Sequence, residues 1–390
     1  MLSRRSFLAT SAVTAGMLPF VSSSASAQTP AATAYSAGTA ERTLDFINLH
    51  DLEVEARKVI PRPQFGYIRS GAGDEWTLKE NTRAFNDRQI LPRYLAGIQQ
   101  PDTSTKLLGD KTDIPIFIPP MAAHGLAHAT AEKGTAKGAA DAGALFTAQT
   151  LANVTLEEIA KAGDGPKWFQ LYFAKDPGIN RELIQRAKAM GATAIVFTVD
   201  LEWAGNREED KRTGFVYPPS LSFPNLADAP KGATLAELFT IFKRELTFSD
   251  LEFIANESGL PVIVKGIQSP DNAVAAVNHG AAAIQVSNHG GRQLDTVPAA
   301  IKSLPWIVDA VGSKVPIFID GGIRRGVHVF QALALGASGV AVGRPILYGL
   351  ALGGAQGVTS VLNALRTELE LSMKLAGTPT IADITRKFVT

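Results

Sequence analysis

The chain has 390 residues, 45% of them hydrophobic, and a formal charge of +1. That is ample material for a large core, and so balanced a charge argues against nucleic acid as a partner. The sequence contains no cysteine, which excludes a disulfide framework and thiol chemistry.

Residues 1–27 read as an export signal outside the fold. Ser3-Arg4-Arg5-Ser6-Phe7-Leu8 is a twin-arginine opening, and Ala25-Ser26-Ala27 forms an A-x-A cleavage site before Gln28. The apolar stretch between them is broken by serines and Pro19 and is too short to span a bilayer. The expectation is passage through the twin-arginine export machinery to the periplasm, a route that carries folded proteins and suits one that takes up a cofactor first. Loss of Arg4 and Arg5 takes the charge from +1 to −1. Residues 28–43, rich in Ala, Thr and Ser, read as a flexible leader. The folded domain is expected over 44–390.

Apolar spacing predicts a helix from Leu44 to Ile60, ending before Pro61, and a second from near Pro63 to Ser70-Gly71-Ala72-Gly73. Ile90–Arg93 reads as extended. From residue 114 strands and helices alternate. Short β-branched runs predict strands at 114–118, 144–148, 167–172, 194–200, 261–265, 283–287, 316–320 and 339–343. Helical patterns lie at 129–142, 155–162, 178–190, 270–279 and 325–335, and a last one runs to about 376. Eight buried strands separated by helices predict a (β/α)8 TIM barrel, with an N-terminal helical segment and an insertion after strand 4. An open doubly wound sheet would carry a glycine-rich fingerprint after its first strand, and Pro119-Pro120-Met121-Ala122-Ala123-His124-Gly125 is no such fingerprint.

Barrel chemistry sits at the carboxyl ends of strands. Those ends read Pro120/Ala122, Gln149, Gln170/Tyr172, Thr198/Asp200, Lys265, Ser287/His289, Asp320 and Gly343/Arg344, polar in phase where the preceding residues are apolar. Ser287-Asn288-His289-Gly290-Gly291-Arg292 puts a titratable imidazole three residues before a fixed positive charge. That suits an enzyme acting on a small acid, the histidine moving a proton and the arginine holding a carboxylate. Asp320-Gly321-Gly322-Ile323-Arg324 and Gly343-Arg344-Pro345 combine exposed backbone N–H groups, helix N-termini and arginines. The last two turns of a barrel commonly bind phosphate in this way. Lys265 closes an apolar strand, so it faces an anion, stabilises an electron-rich ring or forms a Schiff base. Asp200 can orient His289, and Tyr67 and Tyr172 can bond a hydroxyl or carboxylate. His124 and His128 lack a third ligand or an intervening glutamate and read as loop and cap residues, with no metal expected. His50, His279 and His328 read as surface residues on helices. The long stretch 205–248 reads as an active-site lid, its Leu235, Leu238, Phe239, Ile241 and Phe242 forming the apolar side of an amphipathic helix; membrane docking is the alternative.

Over about 44–388 the sequence resembles the FMN-dependent α-hydroxy-acid oxidase and dehydrogenase family, which includes glycolate and lactate oxidases. The resemblance rests on Ser287–Asp295, Ser70–Glu75, Phe169–Tyr172, Thr198–Asp200, Val264–Gly266, Asp320–Gly326 and Gly343–Pro345. Ala122–His128 and Gly205–Arg207 look closest to lactate oxidases. It implies that His289 takes the substrate hydroxyl proton and Asp200 stabilises the imidazolium. It implies that Arg292 and Tyr67 hold the carboxylate, Tyr172 contacts the hydroxyl region, and Arg207 and Tyr217 close the lid base. Lys265 would stabilise negative charge on reduced FMN. Gln170, Thr198 and Ser287 would contact the flavin, with Pro120, Met121 and Ala122 beside it. Asp320, Gly321, Gly322, Arg324, Gly343 and Arg344 would surround the ribityl and phosphate groups. The implied partners are a small 2-hydroxy acid, oxygen, quinone or cytochrome as electron acceptor, and further copies of the chain in a tetramer-like homo-oligomer. Three positions depart from the pattern. Met121 stands for threonine or isoleucine, Gln149 for a small hydroxyl residue near the flavin, and Leu151 for an aromatic residue of the substrate pocket. The departures leave the flavin site intact and alter the substrate side. A flavin- or carboxylate-binding protein without turnover is the alternative reading.

Overall fold

The computed structural model describes residues 35–226 and 235–390. The twin-arginine opening, the cleavage site and the start of the leader lie outside the described residues. The N-terminal segment contributes α1 (Leu49–Val59), α2 (Arg62–Arg69) and α3 (Trp76–Arg83). α1 begins five residues later than the apolar spacing suggests, because Asn48 and Asp51 close a capping box there. α3 was not expected from its largely polar sequence. A short antiparallel hairpin follows, β1 (Thr105–Leu107) and β2 (Asp110–Thr112), also unforeseen.

The repeat then runs β3 (Ile116–Ile118), α4 (Ala131–Asp141), β4 (Leu145–Gln149), α5 (Leu156–Ala160), β5 (Lys167–Leu171), α6 (Pro177–Ala189) and β6 (Ala192–Thr198). The insertion carries α7 (Glu208–Thr213) and α8 (Leu235–Ile241), so it is more regular than its sequence suggested. It is followed by α9 (Phe248–Ser258), β7 (Val262–Ile267), α10 (Pro270–Asn278), β8 (Ala283–Val286), α11 (Ala300–Val311), β9 (Ile317–Asp320), α12 (Gly326–Ala334), β10 (Gly339–Ala341) and α13 (Arg344–Ala376). β3 to β10 pair in parallel and close, β10 against β3, into an eight-stranded barrel. The (β/α)8 expectation holds.

Strand alternation sorts the side chains. Phe117, Leu145, Trp168, Ala194, Val196, Ile263, Ala283, Phe318 and Ala341 form one buried cluster inside the barrel, with Leu107 of the hairpin added from below. Phe117, Trp168 and Phe318 meet with ring centroids 5.2–5.5 Å apart. The hairpin is tied on by Asp110, whose carboxylate accepts from Trp168 Nε1 at 2.9 Å and Thr193 Oγ1 at 2.7 Å. The other strand face belongs to a larger core shared with the helices. Because side chains two residues apart share a face, Gln149, Gln170, Thr198, Lys265, Ser287 and Asp320 stand in the interior columns above that floor.

His328, expected at the surface, is buried and stacks on Phe85 with ring centroids 4.3 Å apart; burial pulls its pKa down to about 4. His279 is exposed beside Glu252, as expected. His124 and His128 are buried, bonded to Thr135 and Thr130 around the start of α4.

Candidate active site

One cavity opens at the carboxyl ends of the strands. It is lined by Tyr67, Tyr172, Arg207, Lys265, His289 and Arg292, by Pro120, Met121 and Ala122, and by Asp320, Gly321, Gly322, Arg324, Gly343 and Arg344. Residues assigned from six of the eight strand ends and from α2 are therefore gathered around one space.

His289 occupies a tight loop after β8. It has a left-handed φ of 54°, and Gly290 and Gly291 follow with φ of 63° and 75°. The two glycines are required sterically. A Cβ on Gly290 would lie 2.8 Å from Arg344 Nη1, and one on Gly291 2.6 Å from the backbone N of Leu78 in α3. From α3, Asn81 exchanges two amide hydrogen bonds with Asn288, at 2.7 and 2.8 Å, and fixes the loop from outside. His289 Nδ1 lies 2.8 Å from Asp200 Oδ1, and Lys265 Nζ 3.6 Å from Asp200 Oδ2. Burial alone would raise the Asp200 pKa, but the His289 and Lys265 charges outweigh it and hold the carboxyl at about 2. Burial lowers His289 below the ordinary histidine value, and Asp200 only partly opposes this.

Arg292 donates through Nη1 to the carbonyls of Tyr67 (2.6 Å) and Ser70 (2.8 Å), and its guanidinium lies 4.9 Å from the Tyr67 ring centroid. Arg344 uses the same Ser70 carbonyl, at 2.9 Å, together with those of Ile68 and Gly290. The carbonyls at the end of α2 are thus a mount for both arginines. In the sequence Ser70-Gly71-Ala72-Gly73 reads as a helix stop within a block shared with the family, with no sign of this mount. Burial and the neighbouring Arg292 pull Arg344 down to about 9. Since a guanidinium stays charged, this cluster with Arg324 is one that an anion relieves.

Tyr217 does not line the cavity; its hydroxyl donates to that of Tyr67 at 2.6 Å. Arg207 is buried and sits on the Arg292 carbonyl and Gln293. Asp200, Gln149, Gln170, Thr198 and Ser287 lie behind the lining. Ser287 Oγ and Gln285 Nε2 both donate to Asp320, at 2.8 and 2.6 Å. Leu151, Leu201 and Phe239 add an apolar wall with Met121. Of these, Leu201 carries no signal in the sequence, and Phe239 reads there only as one of five apolar lid residues, since spacing does not say which of them faces a cavity.

A model of the FMN-dependent dehydrogenase family matches residues 56–390. The chain belongs to this family. It is 47% identical to an L-lactate oxidase of Streptococcus iniae, over 90% of this chain and 87% of the relative. It is 40% identical to glycolate oxidase 1 of Oryza sativa subsp. indica, over 88% and 96%. A crystal structure of a Pediococcus acidilactici lactate oxidase superposes with a TM-score of 0.86 at 45% identity, covering 90% of this chain and 96% of that one. A mandelate oxidase structure with (S)-2-phenylpropionate gives 0.82 at 37% identity, covering 89% and 98%.

The residues present fit FMN. Thr147, Gln149, Gln170 and Gln285, all on the barrel-interior face, carry buried side-chain polar atoms with no partner in the protein, including both amide atoms of Gln170. Such a layer is costly against an apolar lid and suits a flat ring rich in nitrogen and oxygen. Arg324 and Arg344, beside the positive-φ glycines 321 and 322, supply charge and close backbone approach for a phosphate.

Proposed function

We propose that this FMN-dependent enzyme oxidises a short L-2-hydroxy acid, lactate foremost, to the 2-oxo acid. The observation that carries the reading is the His289–Asp200–Lys265 cluster sharing one cavity with Arg292 and Tyr67. Bound FMN supplies the acceptor for the two electrons that leave the substrate carbon. Arg292 has Nη1 committed to the backbone, and its remaining N–H groups take the substrate carboxylate. The Tyr67 hydroxyl, which already accepts from Tyr217, is free to donate to the same carboxylate. His289 Nδ1 is engaged by Asp200, so Nε2 takes the hydroxyl proton. Asp200 then stabilises the imidazolium, and Lys265, which lines the same cavity, would balance negative charge on bound FMN. A neutral base paired with a carboxylate is of no use to a protein that only binds, which disfavours the reading without turnover.

The apolar wall of Met121, Leu151, Leu201 and Phe239 supports a methyl or short alkyl side chain over a ring. Leu151 offers no flat stacking surface. The test is a panel of L-lactate, glycolate, 2-hydroxybutyrate and L-mandelate, each run with oxygen and with a quinone analogue. Lactate should bleach the flavin anaerobically, with glycolate and 2-hydroxybutyrate within the ~1–3 kcal/mol that one methylene is worth. Mandelate exceeding lactate tenfold would sink the pocket argument. The lactate oxidase relatives support oxygen as acceptor. Reduced flavin that persists in air but is reoxidised by the quinone analogue would make the enzyme a dehydrogenase.

The twin-arginine opening and the Ala25-Ser26-Ala27 site support export to the periplasm. A reporter fused to residues 1–30 should lose export when Arg4 and Arg5 become lysines, and unchanged export refutes the route. A homo-oligomer is supported by the exposed Tyr94 and Leu95, the latter 104% exposed. Sedimentation at micromolar concentration should show more than one copy.

A further inference from the structure

Gln149 is the last residue of β4 and a departure from the resemblance, a long amide in place of a small hydroxyl. Leu145 of the same strand belongs to the barrel-interior cluster, whereas Phe146 and Ala148 face the outer core. Alternation therefore puts Thr147 and Gln149 in the interior column above Leu145, and Gln149 beside Gln170, its register partner on β5. The two ends of the Gln149 amide are used differently. Nε2 donates to Glu132 Oε1 at 2.9 Å, and Oε1 is buried without a partner in the protein.

Glu132 lies in the first turn of α4 and is 0% exposed. Its carboxylate also accepts from the N–H of His124 at 3.1 Å and from that of Asn153 at 3.0 Å. Those two groups belong to the segments that follow β3 and β4, so the carboxylate is held from both sides. An acceptor surrounded by donors leaves a neighbouring amide one orientation: NH2 toward the carboxylate, carbonyl oxygen away. The orientation survives protonation, since a proton on Oε2 leaves Oε1 accepting from Gln149.

We propose that Glu132 is a positioning residue for the cofactor, holding Gln149 so that a carbonyl oxygen, and not an NH2, faces the flavin site at the rim of β4. The isoalloxazine ring has one N–H edge when oxidised and gains another on reduction. A fixed acceptor favours an N–H there and disfavours a carbonyl edge. A serine or threonine hydroxyl rotates to serve either; an amide clamped by Glu132 does not. The inference rests on FMN as cofactor and not on which hydroxy acid is oxidised.

The experiment compares wild type, Gln149→Leu, Glu132→Leu and the double variant, all as the full chain reconstituted with FMN. It reads FMN affinity by fluorescence quenching, the visible absorption spectrum, and the midpoint potential of the bound flavin. Gln149→Leu should weaken FMN binding about tenfold, the equivalent of one net hydrogen bond, and shift the spectrum and potential. Glu132→Leu, which removes the acceptor for Gln149 Nε2 and is not part of the cavity lining, should shift both in the same sense. The double variant should do no more than Gln149→Leu alone. Unchanged affinity, spectrum and potential in Gln149→Leu overturns the proposal, and so do additive effects. Should Glu132→Leu not fold, ¹⁵N-labelled FMN decides between wild type and Gln149→Leu. An N–H signal deshielded in the first and not in the second supports the pair, and identical signals overturn it. A protein that binds FMN but oxidises no hydroxy acid would end the substrate reading and leave this one standing, because none of these readouts uses substrate.

Discussion

His289 is poised as a base because two opposing influences on it are unequal. Burial disfavours the charged ring more than Asp200 favours it, so the imidazole is neutral at ordinary pH. The acid limb of kcat/KM should therefore fall at a pH below about 6.5, the unperturbed value, with activity flat through neutrality. An acid limb centred above that value would contradict the assignment. His289→Ala should slow anaerobic flavin reduction by ~10² to 10⁴ and leave FMN bound. Stability responds to other groups. Asp200, held at about 2, contributes stability above its unfolded value of 3.8 that is lost as pH falls through the folded one. Glu132 acts in the opposite sense. Burial pushes it from 4.5 to about 7, so between those values the folded chain keeps a proton that the unfolded chain has released. Stability falls as pH rises through that window, and Glu132→Gln should flatten this part of a denaturation-versus-pH curve.

At the scale of elements, what the sequence conveyed depended on whether an element announced itself by its own residues. The barrel strands did, as short β-branched runs broken by glycine, and so did the polar residues at their ends. α3 did not: Trp76–Arg83 has Leu78 and Trp76 among polar residues, and its role comes from Asn81 reaching Asn288, over 200 residues away. The hairpin was hidden for the same reason, since Leu107 is its one residue in the interior cluster and its other tie, Asp110, reads in sequence as a surface charge. The mount for Arg292 and Arg344 was invisible because carbonyl oxygens leave no mark in a sequence. The lid was legible as apolar positions, but not which of them faces the site. Leu238 and Phe242 are buried in the core, Phe242 against Tyr172, and Phe239 is the one that reaches the cavity. This inward burial fits the lid reading and not membrane docking. Phe239→Ala should raise KM for lactate by roughly tenfold with FMN affinity unchanged; an unaltered KM would remove Phe239 from the substrate wall.

For the molecule as a whole, stability and chemistry are stacked along the barrel axis. The interior below the polar layer is apolar and closed by Leu107. Leu107→Ala should cost about 2–5 kcal/mol in denaturant unfolding through the hole it leaves, with KM untouched because the substituted side chain lies beneath the floor. A changed KM would mean that the two layers are coupled.

The hairpin under the barrel has a consequence for traffic. With one end plugged by Leu107 and fastened through Asp110, the door among the described residues is the mouth at the carboxyl ends of the strands. Acid, keto acid and electron acceptor must share it, and they must take turns. Initial-rate lines at several acceptor concentrations should run parallel, the mark of a molecule that must discharge one guest before admitting the next.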